Sequence, residues 1–220
     1  MTRASDVRGS RARLWFALTA IAAFAGVVIQ LFVTASLTTG FFKTSTARTL
    51  NVLVFFTIQS NLIVGATCLL LAIDPTRSSL GFRVWRLTGI VAITITGLVY
   101  HTVLARLFDL ESWALVADNL IHTVVPVAAV LGWLIFGPRG LTSRAVVRLS
   151  VNFPIAWLVF TLIRGAIVDF YPYPFVDVGR HGYMRVLINC VWVAVLYLGL
   201  ASGAAALDSR LGARAAPTPA

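Results

Sequence analysis

The chain has 220 residues, 59% of them hydrophobic and only 12% charged, at a mean hydropathy of +0.88; soluble domains carry about 25% charged residues. This composition excludes an ordinary soluble globule, and the collagen, disulfide-scaffold and disordered classes with it. A net charge of +10 would point to nucleic acid in a soluble protein, but here most basic residues lie in short segments between apolar runs. They read as topology signals, and no nucleic-acid partner is expected.

Six apolar stretches follow in order, at about residues 14–36, 50–73, 87–107, 119–136, 149–168 and 183–206. Each is long enough to cross about 30 Å at 1.5 Å per residue. The first is too long for a signal-peptide core and has no convincing small-residue cleavage site, so it stays as a membrane helix. The expected fold class is an all-α integral membrane protein, a six-transmembrane-helix bundle over residues 14–207. A basic tail, 1–13, precedes it and a disordered tail, 208–220, follows. Cys68 and Cys190 fall at opposite ends of their predicted helices and have no CxxC partner, so neither a disulfide nor a zinc or redox pair is expected.

Orientation follows from the basic flanks. Arg3, Arg8, Arg11, Arg13, Arg77, Arg83, Arg86, Arg139, Arg144, Arg148, Arg210 and Arg214 share one side; Lys43, Arg48, Arg180 and Arg185 lie on the other. This bias puts both termini in the cytoplasm. Lys43 is the single lysine among 18 basic residues, which with the alanine content points to a GC-rich bacterial genome and a bacterial plasma membrane.

Polar side chains inside hydrocarbon need a partner, a water cavity or a function. Thr57, Gln59, Ser60 and Asn61 fall roughly 10–17 Å below the outer surface, and His101 about 10 Å below it. Asp118, Asn119 and His122 open the fourth span, Arg164 and Asp169 close the fifth, and Asn189 and Cys190 lie a turn into the sixth. The inner half has Asn152 as its main polar residue. This asymmetry predicts a pocket open to the outer leaflet or outer aqueous face rather than a pore lined at every depth. Asp118 is i,i+4 from His122 and placed to orient its ring, while Pro126 removes the hydrogen bond to the His122 carbonyl.

Structural alternatives stand beside each reading. A membrane threonine commonly bonds the i−4 carbonyl, His101 could bridge helices, and Arg164 could snorkel or pair with Asp169. Thr94 and Thr96 carry no distinguishing signal. Tyr171, Tyr173, Trp113 and Tyr183 read as an interfacial aromatic belt, and Pro172 and Pro174 make the YPYP segment a stiff lid or anchor. No histidine pair has metal-ligand spacing, so neither a metal nor a cofactor is expected.

Three stretches carry a resemblance: FFTIQSNLIVG at residues 55–65, NLIHTVVPVAAVLGW at 119–133, and YPYPFVDVGRHGY at 171–183 followed by Asn189. On these the chain resembles the bacterial six-transmembrane proteins often called the Pr6Pr family, over essentially everything between the tails. More distantly it is similar to the androgen-induced-gene-1-like membrane hydrolases, which cleave fatty acid esters of hydroxy fatty acids with a threonine and a histidine. The resemblance implies His122 as the histidine, from a His-Thr pair followed by a proline, and Thr57 as the threonine, after Phe55 and Phe56 and before Asn61. The threonine-to-polar spacing differs by one, and Ser60 offers another hydroxyl.

The function so implied is hydrolysis of a lipid ester, Thr57 attacking and His122 acting as base. Ser60, Asn61, His101, Asn119, Arg164, Tyr173, Asp177 and Asn189 would surround the substrate, with Asn61, Asn119 or Arg164 facing the oxyanion and Asp177 belonging to the lid. Membrane lipids are the expected partners. The rivals are a transporter or channel for a small anion or proton, and a structural membrane protein. Topology is tested by labelling Ser5→Cys, Ser112→Cys and Ser209→Cys in intact cells. An impermeant reagent should modify only Ser112→Cys, and its modification only from the cytoplasm would reverse the orientation.

Overall fold

The computed structural model describes the backbone of residues 2–107 and 109–215 and the side chains of 9–106 and 109–213. Among the described residues there is no strand, and six helices are long and apolar enough to cross a membrane: Gly9–Ser36, Phe56–Ile73, Leu80–Leu104, Ser112–Phe136, Arg144–Val168 and Val178–Ala213. The elements are α1 (Thr2–Ser36), α2 (Ser45–Val52), α3 (Phe56–Ile73), α4 (Leu80–Val99), α5 (Ser112–Asn119), α6 (Val125–Phe136), α7 (Arg144–Ser150), α8 (Asn152–Val168) and α9 (Val178–Ala215). A π-helical turn, Tyr100–Leu104, extends α4, and a second, Leu120–Val124, joins α5 to α6.

Side-chain contacts define two ends. At the end carrying both termini, Arg83 Nη2 donates to the Gly140 carbonyl at 3.1 Å, and the buried Asp208 accepts from the Gly140 and Thr142 N–H groups at 3.1 and 2.9 Å. At the opposite, distal end, Phe41, Phe42, Phe55 and Tyr173 form a string of ring contacts through Phe170 and one another.

Several expected boundaries move. Residues 2–13 continue α1 as helix, and 208–215 continue α9, where Asp208 ties α9 to the α6–α7 loop. Residues 216–220 of the expected tail lie outside the described residues. The second span is broken into α2 and α3. The carbonyls released at the break are taken by side chains: Gln59 donates to Leu53 O at 3.1 Å and Trp157 Nε1 to Val54 O at 2.9 Å. Thr44 caps α2 through the Ala47 N–H, and Arg48 donates to the Leu37, Phe42 and Lys43 carbonyls of the preceding loop. Backbone groups shielded from water need such partners. α9 is likewise interrupted at Gly182, whose φ of 73° lies in the region that favours glycine.

α1 is the centre of the packing. It approaches α3, the second π-turn and α6 so closely that a Cβ on Gly65 would lie 2.9 Å from Phe24, on Gly26 2.7 Å from Ile121, and on Gly132 2.6 Å from Trp15. Small residues permit this approach where no hydrophobic effect drives one helix onto another. Trp15 Nε1 adds a hydrogen bond to the Ala128 carbonyl at 2.9 Å. Phe16, Ala20, Ala23, Val64, Cys68, Ile93 and Ala129 complete the main core.

At the distal end a Cβ on Gly165 would sit 2.1 Å from the Tyr171 ring. Gly165→Ala should therefore destabilise the detergent-solubilised protein by about 1–3 kcal/mol in thermal unfolding. Gly81→Ala, where nothing lies within 4 Å, serves as the unaffected control. Equal behaviour of the two would mean that Tyr171 does not pack as described.

Candidate functional site

An apolar cavity of about 190 Å³ lies between α4, α8 and α9. Its polar groups are few: Thr57 and Thr96, Cys190, and Tyr173 and Tyr197. The Tyr173–Val176 segment covers its distal end. Ile155 and Leu198 line it near mid-height while 55% and 45% exposed, so it opens sideways between α8 and α9. A sideways, apolar opening suits an alkyl chain.

Thr57 occupies the second position of α3, where backbone N–H groups lack intrahelical partners. The Tyr173 hydroxyl fills that vacancy: it accepts the Thr57 N–H at 3.1 Å and lies 3.1 Å from Thr57 Oγ1. Burial raises the pKa of the Tyr173 hydroxyl above its ordinary value, so it stays protonated. Its ring is held edge-on by Phe55, flat by Phe175, and tilted against Trp157. Tyr173 is thus an inward anchor, not part of an aromatic belt; Trp113 and Tyr183 are exposed in the way a belt requires.

A second polar centre is built on the paired π-turns. Asp118 Oδ1 lies 2.8 Å from His122 Nδ1, the i,i+4 pair expected from the spacing, and Tyr100 donates to Asp118 Oδ2 at 2.5 Å. The Tyr100 ring stacks on the His122 ring at 3.8 Å and 9°. His101 Nε2 meets Thr123 Oγ1 at 3.1 Å, so His101 bridges the two turns. Wide turns of this kind concentrate at functional positions. Asp118 thus holds the Nδ1 edge of the histidine and Tyr100 covers one face of its ring, which fixes the orientation of the imidazole.

Among the described residues no hydrogen bond joins Thr57 to His122, and His122 is not on the cavity wall. Thr57 has the Tyr173 hydroxyl as its side-chain partner, and His122 has Asp118 and the Tyr100 ring. Ser60 donates to Phe56 O at 2.6 Å, and Thr96 reaches it at 3.5 Å; fully buried, Ser60 does not line the cavity. Asn61 Nδ2 spans the Thr57 and Ile121 carbonyls at 2.8 and 3.1 Å, linking α3 to the second π-turn, while its Oδ1 has no partner. Asn119 donates to Leu115 O within its own helix at 2.9 Å.

Three further residues take structural positions. Arg164 donates to Asn51 Oδ1 at 2.9 Å and lies over Phe42 and Phe170, rather than pairing with Asp169. Asp177 accepts the Arg180 N–H at 3.0 Å, at the start of α9, instead of pairing with an arginine side chain. Asn189 donates to Phe175 O at 2.8 Å. Sequence reasoning missed Thr96 and Tyr100. Thr96 sits i−4 from Tyr100 and carries no motif; Tyr100 precedes an HTV tripeptide that recurs at His122, the one signal that could have drawn attention to it.

No group of three or more His, Cys, Asp or Glu side chains gathers for a metal among the described residues. No family model, curated protein or solved structure matches the chain, so function is argued from the site itself. The Tyr173 bond makes a direct prediction. Tyr173→Phe leaves a buried N–H and hydroxyl without a partner and should cost about 1–3 kcal/mol. Combined with Thr57→Val, the effects should be non-additive in a double-mutant cycle; additivity would show that the two hydroxyls do not interact.

Proposed function

We propose that the protein is a membrane-embedded hydrolase of a lipid ester, with the end carrying the termini in the cytoplasm of a bacterial cell. The observation that carries this reading is the Thr57 hydroxyl on the wall of an otherwise apolar, sideways-opening cavity, one helix away from an aspartate-oriented histidine. Binding an ester there displaces Tyr173 from Thr57, and His122 Nε2 takes the hydroxyl proton as Oγ1 attacks the carbonyl. The N–H at the start of α3 then faces the oxyanion. His122 returns the proton to the leaving alcohol, and water releases the acyl group by the same steps in reverse. No cofactor enters this chemistry.

Mass-spectrometric assay of the purified protein in nanodiscs tests it, using branched fatty acid esters of hydroxy fatty acids. Thr57→Ala and His122→Ala should each lower kcat/KM by about 100-fold or more, measured per folded, nanodisc-inserted protein. Full turnover in Thr57→Ala would remove the nucleophile assignment. One observation favours a second reading, a lipid-binding protein without chemistry: Thr57 is already hydrogen-bonded to Tyr173 and not to His122. Saturable ester binding with no turnover would establish it.

A further inference from the structure

A second pocket opens at the distal end, beside the mouth of α9. Val103, Leu104 and Pro174 form its apolar side, and His181, Arg185 and Asn189 its polar side, with Phe175 across it. Leu104 and Phe175 also line the apolar cavity, so the two spaces share a wall at these side chains. Phe175 is itself positioned by the Asn189 amide on its carbonyl.

The polar side has an uncompensated charge. Among the described residues no carboxylate pairs with Arg185, which lines the pocket. Asp177, on the adjoining segment, is occupied at the Arg180 N–H. His181 stands one turn before Arg185, across the non-helical Gly182, and both side chains are exposed. A planar guanidinium with one permanent charge matches a monoanionic carboxylate, which it can hold through two parallel N–H groups.

We propose that this pocket binds the carboxylate of a single-chain amphiphile whose alkyl chain passes Leu104 and Phe175 into the apolar cavity. The proposal rests on the lipid reading of that cavity and not on its chemistry. It makes Arg185 a specificity-determining residue: the anionic end stays at the distal surface, and any bond presented to Thr57 lies part-way along the chain.

The probe is 9,10-dibromostearate, whose bromines quench tryptophan, compared with its methyl ester. Quenching of Trp157, which lines the cavity, is isolated as the difference between wild-type protein and Trp157→Phe in nanodiscs. The acid should bind about tenfold or more tighter than the methyl ester. Arg185→Ala should erase that preference while leaving methyl-ester binding unchanged, and Arg185→Lys should keep part of it. Acetate at equal concentration should not displace the acid, since the carboxylate alone lacks the chain. Equal affinity of acid and ester in the wild type, a preference that survives Arg185→Ala, or binding of the acid without Trp157 quenching would each overturn the proposal. Because binding is read without turnover, failure of the hydrolase reading leaves this result interpretable, and the reverse also holds.

Discussion

The constraint on which the rest of the structure depends is that backbone groups released at helix breaks must find partners inside the protein. In water a frayed turn is solvated at little expense; buried without a partner, each such group costs about 1–3 kcal/mol. The chain meets this requirement with long side chains from distant segments. Trp157 serves the break between α2 and α3, and Tyr173 serves the first turn of α3. Arg48 gathers the α1–α2 loop, and Asp208 the α6–α7 loop. The candidate site is assembled at one of these places, where Tyr173 meets the first turn of α3.

Tyr173 therefore has two relationships to the same residue. It completes the hydrogen bonding of the Thr57 backbone, a structural role, and it holds the Thr57 hydroxyl, which is the group a ligand in the cavity would meet. Its own support comes from stacking and edge contacts with Phe175, Phe55 and Trp157, on a segment whose φ angles are restricted at Pro172 and Pro174. The stiffness legible in YPYP thus fixes a hydroxyl at a helix N-terminus.

Apolar length made the six spans legible, because twenty-residue stretches of Leu, Val, Ala and Ile have few other uses. The i,i+4 spacing made the Asp118–His122 pair legible for the same reason: it is a local relation within one helical turn. What escaped was non-local. Nothing in residues 50–73 announces that Trp157 will satisfy Val54, so the second span read as one helix. Nothing near Arg86 announces its burial: read as a cytoplasmic flank, it is 4% exposed, with Nη1 3.3 Å from Cys68 Sγ and its guanidinium over Phe16. Thr96 gained its place only because α4 turns it toward Ser60 and the cavity.

Tyr100 connects the cavity to the histidine. One face of its ring stacks on His122 and its hydroxyl holds Asp118, while the same residue packs in the cluster that contains Tyr173, Leu104 and Trp157. The residue that positions the imidazole and the residue that holds the Thr57 hydroxyl therefore share one cluster. The π-turn beneath Tyr100 faces the π-turn that carries His122, and the Asn61 amide fastens the latter to α3, one turn after Thr57. Residue types that in water would form independent surface groups are here mechanically coupled, since close-packed interiors transmit strain instead of absorbing it. The two tyrosines that flank the histidine and hold the threonine, Tyr100 and Tyr173, thus belong to one packed cluster.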